Sequence, residues 1–404
     1  MSDRSSATSS SSPKRWLTRC VVGIGLASLF SDWGHEAATS ILPAFLASLG
    51  APAFALGVIE GVSDGLSSIA KLAGGWIADR PKWRKPTGVA GYVATGLSTF
   101  AYAFAQSWPA VLVMRALGWT GRGSRGPSRD TLLSDAVAPE QQGRAFGFER
   151  AMDTLGAVLG PLCATLLIGL IGARGVLKLT IIPGLAAAVA FTLLVPAAKG
   201  VDGHHAPSFA SSFGEMPKTY WHFLAGVFAH GIGDFAPTLL ILRASQILGP
   251  RFGTARAATM AVALYTFYNT VNAAASYPAG ALGDRIGKRN LLALGYLSGA
   301  IAYAGFIFEP PTIPILVVLF GLAGIHGAMQ ASLEKSMAAE LLPPKVRGSG
   351  FGVLATVNGI GDLVSSIAVG VLWSSVSPNA GFFYAGLFTL TGAVLIYFFV
   401  PRKD

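Results

Sequence analysis

Apolar runs of roughly twenty residues recur along the chain, separated by short polar or basic stretches. A helix needs about 20 mostly apolar residues to cross the hydrocarbon of a bilayer. Twelve segments have that length: roughly 20–49, 53–78, 87–106, 109–135, 143–171, 176–196, 220–248, 255–282, 290–308, 313–340, 347–374 and 380–400. The pattern predicts an all-α membrane protein of twelve transmembrane helices. A Gly/Ser/His/Pro stretch at 198–219 separates six spans from six. The expected organisation is a disordered Ser-rich cytoplasmic tail at 1–19, a six-helix bundle at 20–197, a cytoplasmic loop at 198–219, and a second six-helix bundle at 220–404. The apolar run after Arg19 is too long for a signal peptide core, and Asp32 and Glu36 interrupt it, so it reads as an uncleaved first span.

Lys and Arg set the expected orientation, because positively charged loops stay inside. Inner segments then hold Arg80, Lys82, Arg84 and Lys85 after span 2, and Arg285, Lys288 and Arg289 after span 8. Outer loops hold little beyond Arg174, Arg251 and Arg256. Both termini are expected in the cytoplasm, with the chain in the plasma (inner) membrane of a bacterium or archaeon.

The two basic loops are near-copies. GGWIADRPKWRKP, Gly74 to Pro86, and AGALGDRIGKRN, Ala279 to Asn290, place Asp79-Arg80 and Asp284-Arg285 205 residues apart. The same offset relates Gly143, Phe146 and Gly147 to Gly348, Phe351 and Gly352, and Asp135 to Glu340. At Arg129-Asp130 and Glu334-Lys335 it returns with the signs reversed. One offset held over several elements indicates a parallel duplication of a six-helix unit. Membrane bundles built from repeats are mostly transporters.

Composition narrows the class further. Hydrophobic residues make up 52% of the chain and charged residues 12%, against roughly 25% charged in soluble domains. The net charge of +10 falls in short loops without a basic–aromatic stripe, so nucleic acid is not an expected partner. Cys20 and Cys163 suggest neither a disulfide framework nor a metal-ligand spacing. Gly121–Gly126 lacks the Lys-Ser/Thr of a nucleotide-binding loop and lies inside a span. No cofactor, ATP-driven step or enzymatic centre is therefore expected. The expected partners are a small solute, protons and lipid, with the chain as a monomer.

On these motifs the chain resembles the major facilitator superfamily over nearly its whole length. The loop signature G-x-x-x-D-R-x-G-R/K-R is met by Gly280, Asp284, Arg285, Gly287, Lys288 and Arg289, while the first copy has Lys82-Trp83 where the second Gly would fall. The resemblance implies two six-helix pseudo-repeats around a central cavity that opens alternately to each side. It implies that Asp79 and Asp284, with Arg80 and Arg285, act in conformational gating by meeting a helix N-terminus of the facing domain; Asp135 and Arg144 join that group. It makes Arg115 a candidate in proton transfer. Span 5 is similar to the antiporter motif through Gly147, Gly156, Gly160 and Pro161, with Ala164 replacing its last Gly. That likeness implies export.

Ionisable residues inside spans are costly and should face protein or a cavity. They occur in spans 1, 2, 4, 5, 7, 10 and 11, and are absent from the middles of 3, 9 and 12. Span 1 carries Asp32, His35 and Glu36, and span 7 carries His230 and Asp234, each set at i, i+4 spacing that shares a helix face. Both sets are candidate substrate or proton sites. Span 4 carries Arg115, Arg122, Arg125 and Arg129 on one face, suited to an anionic group. The counter-reading is pairing, since Asp32, Glu36, Glu60, Asp64, Glu149 and Asp153 match the N-half bases in number. The C-half sets Asp234, Glu334 and Asp362 against Lys335 alone, with His230 and His326 beside them. Asp234 and Asp362 are thus coupling candidates, and Gln330 and Asn358 candidate neutral contacts to a solute. His230, Asp234 and His326 also offer two imidazoles and a carboxylate, but cysteine adds no support and no metal site is expected.

The sequence thus predicts a secondary transporter exporting a small organic solute against protons. Alternatives are proton-coupled uptake of an organic anion, transition-metal transport, or a non-transporting receptor on the same scaffold.

Overall fold

The computed structural model describes residues 16–51, 54–197, 209–235, 237–307 and 312–401. Fourteen α-helices occur among them, with no strand. The N-half contains α1 (Arg19–Ser48), α2 (Phe54–Ala78), α3 (Pro81–Ala101), α4 (Trp108–Asp135), α5 (Gln142–Leu179) and α6 (Ile181–Leu194). A short α7 (Phe209–Gly214) precedes the C-half. That half contains α8 (Lys218–Gly231), α9 (Thr238–Phe252), α10 (Thr254–Ile286), α11 (Lys288–Gly305), α12 (Ile313–Leu341), α13 (Arg347–Ser375) and α14 (Pro378–Phe399).

Two spans are interrupted. α5 turns at Gly172, whose φ of 68° favours glycine, so its last residues run with α6 as the sixth span. The seventh span, expected as one helix over 220–248, is broken between α8 and α9. Gly231 ends α8, and Gly233 and Pro237 lie in the gap: glycine weakens a helix and proline removes a backbone donor. The chain turns there through bonds from Gly233 N–H to the His230 carbonyl and from Asp234 N–H to that of Gly231. Asp234 therefore sits in a broken helix, not on the face of a continuous one.

Twelve spans result, in two six-helix pseudo-repeats. α1 packs on α5 and α6, and α4 on α2 and α3; in the C-half, α10 packs on α9 and α12, and α14 on α8 and α11. The halves meet chiefly through α5 on α10 and α2 on α13. We call the end carrying the loops after α2, α4, α10 and α12 the motif end.

The apolar core differs between the two ends. At the motif end one cluster joins both halves, running from Val21, Phe146 and Phe191 to Phe223, Leu291 and Phe351. At the far end each half has its own, around Phe45 and Tyr102 in one and Phe306 and Phe382 in the other. Large apolar side chains such as Leu166, Leu170, Ile182 and Phe398 point outward. Such a surface suits hydrocarbon, not water.

Candidate functional site

Two carboxylates hold the motif end together. Asp284, near the end of α10, accepts the backbone N–H groups of Gly143 and Arg144 at 2.8 and 2.9 Å. Asp79, just after α2, accepts the N–H of Ser349 at 3.1 Å and also its hydroxyl. The acceptors thus sit at the N-termini of α5 and α13, where unpaired N–H groups and the helix dipole favour negative charge. Ser349 lies 205 residues beyond Arg144, so the two contacts are repeats of one another. Burial pushes the Asp79 carboxyl up to about 6, against the Ser349 hydrogen bonds that hold it down.

Close packing makes these contacts possible. A Cβ on Gly143 would strike the Gly280 carbonyl, and one on Gly280 the carbonyl of Gly143. Gly147 packs likewise on Ser276, while Gly156 and Gly160 face the α1 backbone and Pro161 follows inside α5. The antiporter-like motif thus seats α5 between the facing half and α1. Asp135 bridges Arg84 at 2.7 Å and Arg347 at 2.8 Å, and Lys288 pairs with Glu340 at 2.9 Å. Arg144 keeps a longer 3.9 Å approach to Asp284. Arg80 lies over the Trp76 ring and donates to its carbonyl, within its own segment, and Arg285 is exposed.

Above this closure lies a cavity of about 540 Å³ between the halves. Asp234, His326, Gln330, Asn358 and Asp362 line it, with Lys71 and Arg150 from the N-half. Asp234 receives hydrogen bonds from Tyr303 at 3.1 Å and Gln330 at 3.0 Å. Its carboxylate lies 3.6 Å from His230 and 3.8 Å from His326. Glu334 accepts from Tyr296 at 2.6 Å and Asn358 at 2.7 Å. The floor is ionic: Lys335 reaches across to Asp130 at 3.3 Å and Glu149 at 3.7 Å, and Arg129 also pairs with both.

The span-1 and span-4 candidates lie elsewhere. None of Asp32, His35, Glu36, Arg115, Arg122 and Arg125 lines this cavity. Asp32 pairs with Arg122 at 2.9 Å. Arg125 turns to Ser31 and Thr95 and covers the Tyr92 ring, and Arg115 is buried over Trp119. His35 is buried against Trp119 and lies 3.7 Å from Glu36. The arginine stripe is absorbed by its own half. Glu60's side chain lies outside the described residues.

Sequence reading missed Ser349 and the contact of Lys335 with Asp130. A signal existed for the second: these two residues are themselves 205 apart, so the reversed signs sit on repeat-related positions that meet between the halves.

Two repeated six-helix units around a polar cavity, closed at one end by matched latches, define a multi-pass membrane transporter scaffold. The sequence profile of the Major Facilitator Superfamily matches residues 24–263 and 223–404, and the chain belongs to that family. It is 28% identical over 388 residues to an uncharacterized MFS-type transporter of Methanocaldococcus jannaschii, covering 95% of this chain and 96% of that one. It is 25% identical to the cis,cis-muconate transport protein of Acinetobacter baylyi, over 83% of each chain. Among solved structures, the fucose:proton symporter of Escherichia coli superposes with a TM-score of 0.75 at 14% identity, over 95% of this chain and 99% of that one. The protein is an MFS transporter.

Proposed function

We propose that the protein is a proton-coupled exporter of a small organic solute, working as a monomer by alternating access in the plasma membrane. The units 20–197 and 220–404 move as bodies about the 198–219 connection. The motif end, with both termini, faces the cytoplasm, because Arg80, Lys82, Arg84, Lys85, Lys288 and Arg289 gather there. With that orientation the described state is outward-facing: the halves share one core at the cytoplasmic end and keep separate cores at the other.

The observation that carries the reading is Asp234. It stands on the cavity wall in a broken helix, and its partners among the described residues are Tyr303, Gln330 and two histidines, none of them a permanent cation. Discontinuous membrane helices commonly carry substrate and coupling-ion sites. A proton arriving from outside neutralises Asp234 and displaces the solute; in the inward-facing state the proton leaves and solute binds again. Export as the direction is supported by the antiporter-like run Gly147, Gly156, Gly160 and Pro161.

Uptake of an organic anion is the second reading, favoured by the muconate-transporting relative and by Lys71, Arg150 and Lys335 on the cavity wall. Proteoliposomes with an imposed pH gradient, scanned over organic cations and anions, separate the two. Export by antiport predicts solute movement opposite to protons. Solute counterflow without any proton movement overturns the coupling.

A further inference from the structure

His230, Asp234 and His326 converge from two helices and the break between α8 and α9. One ligand atom from each residue falls within 4.8 Å of the other two. The His230 Nε2 to Asp234 and His326 Nε2 to Asp234 separations are 3.6 and 3.8 Å. Both exceed a hydrogen bond, but both approach the edge of a tetrahedron around a metal ion. Bonds of roughly 2.0–2.2 Å to nitrogen and oxygen place neighbouring ligand atoms about 3.4 Å apart.

The imidazoles are built in rigidly. His230 is fully buried and stacks on Tyr296 at 3.9 Å, and its two nitrogens make no hydrogen bond among the described residues. His326 is 4% exposed. Its Nδ1 lies 3.0 Å from the Gly295 carbonyl, which fixes a proton there and turns the Nε2 lone pair toward Asp234. A buried nitrogen aimed at a carboxylate with its other side held by a backbone carbonyl is the outer-shell arrangement of a histidine metal ligand. The rings stand at 81° to each other, and Gly299 and Gly392 leave room for them: a Cβ at either would press on His326 or His230. Asp362 and Glu334 stand on the same cavity wall.

We propose that His230, Asp234 and His326 bind a late first-row divalent transition-metal ion of the zinc type, with a fourth position open to the cavity. Imidazole and carboxylate ligands suit such an ion, and three protein ligands leave it able to take a further group. The site stands on this geometry and not on the direction of solute transport.

The test is cobalt binding to the purified full-length protein in detergent, carrying no polyhistidine tag. One equivalent of cobalt should give the intense visible bands of four-coordinate Co²⁺, and zinc should displace it. His230→Gln, His326→Gln and Asp234→Asn should each weaken binding by more than about 100-fold, since even outer-shell changes cost 10–100-fold. A variant with H204Q and H205Q, the adjacent histidines of the connecting segment, should keep the bands. Absence of the bands in the intact wild-type protein overturns the proposal, whatever the variants do. So does their survival in the site variants or their loss with H204Q and H205Q. Solute flux under a pH gradient is read separately, so failure of metal binding and failure of proton-coupled export are distinguishable.

Discussion

In the N-half, Asp32 sits on Arg122 and Glu149 on Arg129; in the C-half, Asp234 faces two imidazoles, a tyrosine and a glutamine. These halves descend from one repeat, yet they bury charge differently. The N-half sets Asp32 and Glu149 against its own arginines. The C-half leaves a carboxylate with no lysine or arginine partner among the described residues, at a break in its first helix. An ion pair buried on both sides resists change, because removing one partner strands the other. An acid among neutral groups can change its charge without that penalty. The division separates paired charge in one copy from an acid without a fixed cation in the other, while the latches that join them stay symmetric.

The sharpest way to break the contrast is at Asp32. Asp32→Asn removes the ion-pair partner of Arg122, leaving it Asp153 and Glu36 nearby, and should destabilise the fold by about 1–3 kcal/mol. Asp32→Asn with Arg122→Gln should recover most of that loss. Asp234→Asn should leave the melting temperature in detergent nearly unchanged. Equal thermal losses at Asp32 and Asp234 would remove the distinction.

The latches come next. Asp284→Ala deletes two charge-assisted bonds and should move the conformational equilibrium toward opening at the motif end by about 2–3 kcal/mol. Spin labels across that end would report the added distance; an unchanged distribution contradicts the latch. Asp79 adds a pH signature. A solvated carboxyl titrates near about 4, and in the latch the value is pushed up to about 6. The closed motif end therefore holds its proton more readily. That contribution is full below about 4 and is lost as the pH rises through about 6. A tenfold difference in proton affinity between the open and closed ends is worth about 1.4 kcal/mol. Asp79→Asn should flatten this dependence in the same distance measurement. The smallest effect belongs to Lys335→Gln: Asp130 and Glu149 keep Arg129, so closure should weaken by under about 1 kcal/mol.

The helices were legible because apolar length is a strong signal; Ile313–Leu341 and Pro378–Phe399 read as spans on hydropathy alone. α1 and α4 carry embedded charge, and there the duplicated loops and the regular spacing did more to define the spans. The positions of Asp79 and Asp284 at the motif end followed from the repeat. What the repeat could not supply was the direction of each charged face. The spacing of Arg115, Arg122 and Arg125 puts them on one side of α4, but only packing decides that Arg125 meets Tyr92 and Arg122 meets Asp32. Nor does a glycine-rich stretch announce its geometry: Gly233 could have lain within a helix, as Gly231 and other glycines of this chain do. Its proximity to Pro237 and the packing around His230 break the span and present Asp234 to the cavity.

Asp234 is the residue on which proton coupling turns in the proposed function. The most direct test of that role is proton release in lightly buffered detergent solution on adding a transported solute. The wild-type protein should release protons with a stoichiometry near one, and Asp234→Asn should release none while remaining folded. Undiminished release from Asp234→Asn would show that Asp234 is not the coupling residue.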